Sequence, residues 1–126
     1  MMMEEPIAVG RLNNTGVANI HDIVGNINRS IIILQDAGHE QMAEILKEIG
    51  KAAIIDPDLK KRACQATIES LRTLAWEASL PCAQRHLGIV RAVLEYIPIL
   101  LSGSPDTLNY YRVHLDDLRE FFGISE

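Results

Sequence analysis

The sequence predicts an all-α protein, an antiparallel bundle of four to five helices behind a flexible N-terminal tail. Three observations carry that expectation. Apolar residues recur at steps of three and four through most of the chain after residue 16, the period of one helix face. Pro57, Pro81 and Pro105 stand at equal spacing, each after a break and before such a run. Proline lacks an N–H and fixes φ, so it fits the first turn of a helix and is excluded from most interiors. No strand is clearly signalled after residue 36. Rods of about 20 residues are roughly 30 Å long, the diameter of one small domain. The chain therefore divides into a tail over 1–15 and a single helical-bundle domain over 16–126.

Pro6, Gly10 and Asn13-Asn14-Thr15 mark the tail as loop-forming. Val17, Ile20, Val24, Ile27, Ile31 and Leu34 then repeat as an a/d seam over almost three heptads. Gly25, Asn19, Asn26 and Asn28 oppose a helix there, so the reading is either a helix over 16–36 or a shorter one from Asn26 after an irregular lead-in. Ala37-Gly38-His39 ends it, glycine being the usual C-terminal breaker. The next run, through Ile55, buries Met42, Ile45, Leu46, Ile49 and Ala53 and exposes Glu40, Glu44, Lys47, Glu48 and Lys51. Crossed pairs at i,i+3 offset the like charges stacked at i,i+4 on that face.

Asp56-Pro57 opens the next helix, from Asp58 to about Ser79, with Cys64, Ile68, Leu71, Ala75 and Ala78 inward. Trp76 falls just beside that stripe, at the core edge or as a partly exposed contact. Ser79-Leu80-Pro81 opens a fourth helix, to about Leu101, with Leu87, Val90, Val93, Leu94, Ile97 and Leu101 inward and Arg91 paired with Glu95 outside. Pro98 lies inside this run and removes the hydrogen bond to the Leu94 carbonyl, so the helix is expected to kink or end there. Ser104-Pro105-Asp106 starts the last helix. Its seam is Leu108, Tyr111, Leu115, Leu118 and Phe122, and Gly123 stops it.

Composition narrows the function more than motifs do. The chain has 126 residues, 48% of them hydrophobic and 23% charged, with a net charge of −5. That is one globular domain with a real core, and the acidic balance argues against nucleic acid, whose binders show a basic excess. Lys60-Lys61-Arg62, the one basic cluster, reads as a solvated helix face. Leu87 to Leu101 is too short and too charged to span a bilayer unaided. The acidic start, Met1 to Pro6, does not resemble a secretory signal. Cys64 and Cys82 read as reduced thiols in a cytoplasmic protein, with a disulfide between their helices as the minor alternative.

No catalytic residue, metal site or cofactor is predicted. His21, His39, His86 and His114 include no i,i+4 pair, and there is no HExxH, P-loop or GxGxxG. His114 and Asp117 share a helix face at i,i+3 and are the candidate for a metal- or ligand-binding site or an acid/base pair. The alternative is a solvated face opposite the last helix's seam. His21-Asp22 flanks the 17–34 seam and is weak as chemistry. What remains is association. A Val/Ile-rich seam on an Asn/Gly-rich segment must be buried, either in its own bundle or against copies of itself. β-branched residues at both a and d favour trimers or tetramers. Val17, Ile20, Val24, Ile27, Ile31 and Leu34 are thus the candidate oligomer interface.

The stretch Val24-Gly25-Asn26-Ile27-Asn28-Arg29-Ser30-Ile31, followed by Leu34-Gln35-Asp36-Ala37-Gly38-His39 and Ala43-Glu44-Ile45-Leu46-Lys47, resembles small all-helical accessory regions of bacterial proteins of unknown function. Asp56-Pro57-Asp58-Leu59, Arg91-Ala92-Val93-Leu94 and Phe121-Phe122-Gly123-Ile124 follow in the order found there. The resemblance covers residues 17–126 and brings no catalytic residues. It implies an accessory or oligomerising role, by analogy of fold. The resulting expectation is a non-enzymatic, self-associating interaction module, with a possible protein partner and without nucleic acid or membrane. The alternative is a ligand-binding protein or enzyme using the His114/Asp117 face.

Overall fold

Helix follows helix through short connections in the computed structural model, which describes residues 20–124. Among the described residues the elements are α1 (Ile20–Asp36), α2 (Glu40–Ile55), α3 (Lys61–Ser79), α4 (Leu87–Leu100) and α5 (Pro105–Phe122), with a 3₁₀ turn (Cys82–Gln84) before α4. Among the described residues there is no strand, and the antiparallel all-α bundle is the fold. The tail assigned to 1–15, and residues 16–19 of the first helix, lie outside the described residues. α1 is helical from Ile20, so the shorter helix from Asn26 is not adopted.

α3 is the central rod, packed on α1, α2 and α4, while α5 closes the bundle against α2 and α4. The inward stripes of α2 and α3 are those that the period predicts: Met42, Ile45, Leu46, Ile49 and Ala53 meet Cys64, Ile68, Leu71, Ala75 and Ala78 in one core. Tyr111, Leu118 and Phe122 complete it from α5. Burial of such side chains stabilises by about 1.5–3 kcal/mol each.

Two helix ends are set by glycine. Gly38 has φ +86° and Gly123 φ +71°, a region that costs residues with a Cβ. At each, the glycine N–H bonds three residues back (Gly38 to Gln35, Gly123 to Glu120). The following N–H bonds five back (His39 to Leu34, Ile124 to Arg119). This is the Schellman closure.

Two of the three proline signals are corrected. Only Pro105 occupies the first turn of a helix. Pro57 sits in a tight turn in which the Asp58 N–H donates to the Asp56 side chain at 2.8 Å. The chain then extends again at Lys60 (ψ 148°) before α3 begins. Pro81 opens the 3₁₀ turn, and Arg85 (ψ 141°) again interrupts before α4. Proline suits any turn needing φ near −60°, and in both cases side chains drawn to other helices hold the turn short of a helix. Leu87, expected inward, is consequently at the exposed start of α4.

α4 does continue through Pro98, but only as far as Leu100. The Leu94 carbonyl, which Pro98 cannot serve, instead accepts the Tyr111 hydroxyl at 2.8 Å in the core. Burial pushes the Tyr111 phenol well above its ordinary range, so it remains a donor.

Gly50 marks a close approach of α2 to Ile27 of α1. A Cβ there would stand 2.9 Å from Ile27 Cγ1 and 3.1 Å from its Cδ1. Gly50→Ala gains about 1 kcal/mol of helix propensity but overpacks a core contact at about 1–3 kcal/mol. The expected result is a net loss of about 1 kcal/mol in urea unfolding. A stabilised variant would show that Ile27 yields freely.

The two ends of the bundle are tied differently. At the end holding the α2–α3 and α4–α5 connections, the Thr107 hydroxyl donates a short hydrogen bond to Asp56. Together with the Asp58 N–H, it holds the Asp56 carboxyl below its ordinary value of 3.8. A depressed carboxyl pKa contributes stability that is complete above the unfolded value and disappears as pH falls through the folded one. Thermal melts of the parent and Asp56→Asn should therefore differ at about pH 6, with the gap narrowing as pH falls below the ordinary carboxyl value. A gap unchanged across that range would show that Asp56 acts through shape alone.

Candidate functional site

The predicted seam on α1 divides between core and surface. Val17 and the side chain of Ile20 lie outside the described residues. Ile27 and Leu34 are buried in the chain's own core, Ile31 packs partly against it, and Val24 is turned outward. The inward line is instead Ile23, Ile27, Ser30 and Leu34. α2 and α3 both pack on α1, so the buried arc is centred one position away from the a/d reading. Ser30 fits there because its hydroxyl donates to the Asn26 carbonyl, one turn back, as a helical serine can.

His114 and Asp117 form no hydrogen bond or ion pair with each other. The His114 ring lies against Tyr110, centroids 5.0 Å apart. Asp117 lines a groove of about 280 Å³ between α2 and α5, with Gln41, Met42, Ile45, Glu120 and Phe121. Among the described residues, no group of three His, Cys, Asp or Glu side chains is placed to hold a metal ion. Both cysteines are free; Cys64 is buried and Cys82 exposed, so the alternative of a disulfide is not realised.

The feature missed by sequence reasoning is a polar corner between α3 and α4. Glu77 is only 3% exposed. Its Oε1 accepts the His86 backbone N–H at 2.7 Å, and its Oε2 lies 3.0 Å from His86 Nδ1. This places the carboxylate at the start of α4, where the helix dipole favours negative charge. Arg85 does the converse for α3. Its guanidinium donates to the carbonyls of Glu77, Ala78 and Leu80 at 2.9–3.2 Å, acceptors at the C-terminus of α3, where intrahelical donors run out; the Glu77 carbonyl also accepts the Leu80 N–H. The same cation lies 4.9 Å from the Phe121 ring centroid, and His39 meets the other side of this cluster edge-to-face with Phe121 at 5.1 Å. The α1–α2 turn, the α3–α4 corner and the end of α5 are joined there. The predicted stripe, which runs through Ala75 and Ala78, does not include Glu77; Leu74, one turn before Glu77, is buried beside that stripe as well.

The arrangement satisfies backbone groups, and Glu77 and Arg85 are used up in doing so. The outer surface is different. Ile89, Tyr96 and Ile99 on α4 are 49%, 48% and 67% exposed, and Trp76, Val113 and Ile55 are also largely exposed. Scattered apolar side chains are ordinary on a surface; several on one helix face are not. Trp76 thus takes the exposed of its two readings.

These features define an all-α bundle with two tied ends and one helix that is apolar inside and out. No known protein family, curated protein or solved structure matches the chain. No helix among the described residues is long and apolar enough to cross a membrane.

Proposed function

We propose that the chain is a non-enzymatic helical interaction module that associates with itself. The observation that carries this reading is α4. Its 14 residues, LGIVRAVLEYIPIL, include only two charges, yet the helix lies on the bundle surface. A helix hydrophobic all round belongs in an interior, and a second molecule supplies one. The accessory role implied by the resemblance to helical regions of bacterial proteins agrees with it. The free thiols of Cys64 and Cys82 support a reducing, cytoplasmic setting.

Light scattering on the full chain over a wide concentration range tests the reading. The expected result is a mass that rises with concentration from the 14.0 kDa of one chain. A mass fixed at that value up to millimolar protein would sink it.

A further inference from the structure

We infer that the outward face of α4 pairs with the same face of a second copy, antiparallel and about a two-fold axis; this rests on the self-association reading above. The core side of α4 is Val90, Leu94, Ile97 and Leu101. At 100° per residue, the opposite side is Gly88, Ala92, Tyr96 and Ile99, with Ile89 at its margin. All five are exposed, and a Cβ placed on Gly88 would meet nothing within 4 Å. The face is open and apolar along the whole helix.

Charge selects the occupant and the direction. Arg91 and Glu95 lie one turn apart along one edge of this face, and among the described residues they form no ion pair with each other within 4 Å. The expected Arg91–Glu95 pair is therefore not made within the chain. A two-fold axis across antiparallel helices sets that edge against its own reversed copy. Arg91 then lies beside Glu95 of the second copy, and the reverse pair forms by symmetry, as an isologous interface requires. A parallel pair would instead press the charged edge against the apolar edge carrying Ile89 and Val93, leaving both charges desolvated without partners. A register centred at Leu94 leaves Arg91 about 3 Å along the axis from Glu95 of the second copy, within reach of the two long side chains. It also sets the small Ala92 against the large Tyr96, and Ile89 against Ile99. Such alternation packs without voids.

A 14-residue helix is about 21 Å long, and the patch is smaller than the roughly 800 Å² per partner of a standard interface. The dimer is accordingly weak, with a dissociation constant in the micromolar range or above.

Sedimentation equilibrium of the full chain, with thermal melts of each variant, tests the pairing. The parent is expected to reach twice 14.0 kDa. Ile99→Lys and Arg91→Glu should each weaken the dimer about tenfold or more, with their low-concentration melts unchanged. The double swap Arg91→Glu/Glu95→Arg should restore affinity to within about threefold of the parent, because the cross-pairs are reformed with reversed sign. A parent that never leaves 14.0 kDa overturns the self-association reading itself. An oligomer untouched by Ile99→Lys overturns only the α4 face. A swap that fails to restore what Arg91→Glu removed overturns the antiparallel pairing. An Ile99→Lys variant that melts lower as a monomer shows the face covered by the chain's own residues, and likewise overturns it.

Discussion

Tyr111→Phe is expected to lower stability by about 2 kcal/mol although only one oxygen is lost, because it leaves a buried acceptor unpaired. The acceptor is the Leu94 carbonyl, which in an ordinary helix would receive the N–H of residue 98. Residue 98 is proline, so that donor does not exist, and its ring also crowds the same carbonyl. The Tyr111 hydroxyl, from α5, supplies the missing proton at 2.8 Å. Pro98→Ala restores a backbone donor and relieves the crowding. In that background Tyr111→Phe should cost no more than about 0.5–1 kcal/mol, so the double-mutant cycle should show coupling of about 1 kcal/mol or more. The cycle is measured by urea unfolding, with m-values held in common as the check on two-state behaviour. Equal costs of Tyr111→Phe in the two backgrounds would mean that the hydroxyl does not compensate for the proline.

Glu77→Ala is expected to cost about 3 kcal/mol, lowering the melting temperature by roughly 10 °C. Its carboxylate is buried, and the His86 N–H that it accepts, at the N-cap of α4, loses its acceptor. Most of the loss arises from that backbone donor rather than from the imidazole, since the His86 side chain is 61% exposed and exposed ion pairs contribute little. Glu77→Gln keeps an acceptor in place and should cost about 1 kcal/mol. His86→Ala, which keeps its N–H, should cost less than Glu77→Ala. If the histidine variant were instead the more damaging, the imidazole contact would be the stronger part of the corner.

Much of the fold was legible in the sequence, and the reason is local. Met42, Ile45, Leu46, Ile49 and Ala53 need only the helical period to share a face, and burial followed that period in α2, α3 and α5. Gly38 and Gly123 needed only their conformational freedom to end helices. Pro98 announced an unpaired Leu94 carbonyl before any neighbour was known. The polar contacts were less legible. His114 and Asp117 share a face by count alone, yet their side chains turn to different neighbours.

Fold class, the helix C-termini and most inward stripes are encoded locally, because they depend on backbone preferences and on a period repeated within one element. The tertiary structure decided which donor reaches Leu94, how far the Pro57 and Pro81 turns run before a helix begins, and which arc of α1 is buried. It also placed Glu77 and Arg85 in a corner that closes two helix ends, and left Ile89, Tyr96 and Ile99 of α4 exposed. Each of these depends on a partner far along the chain, and no local pattern encodes which distant group will arrive within hydrogen-bonding or van der Waals range.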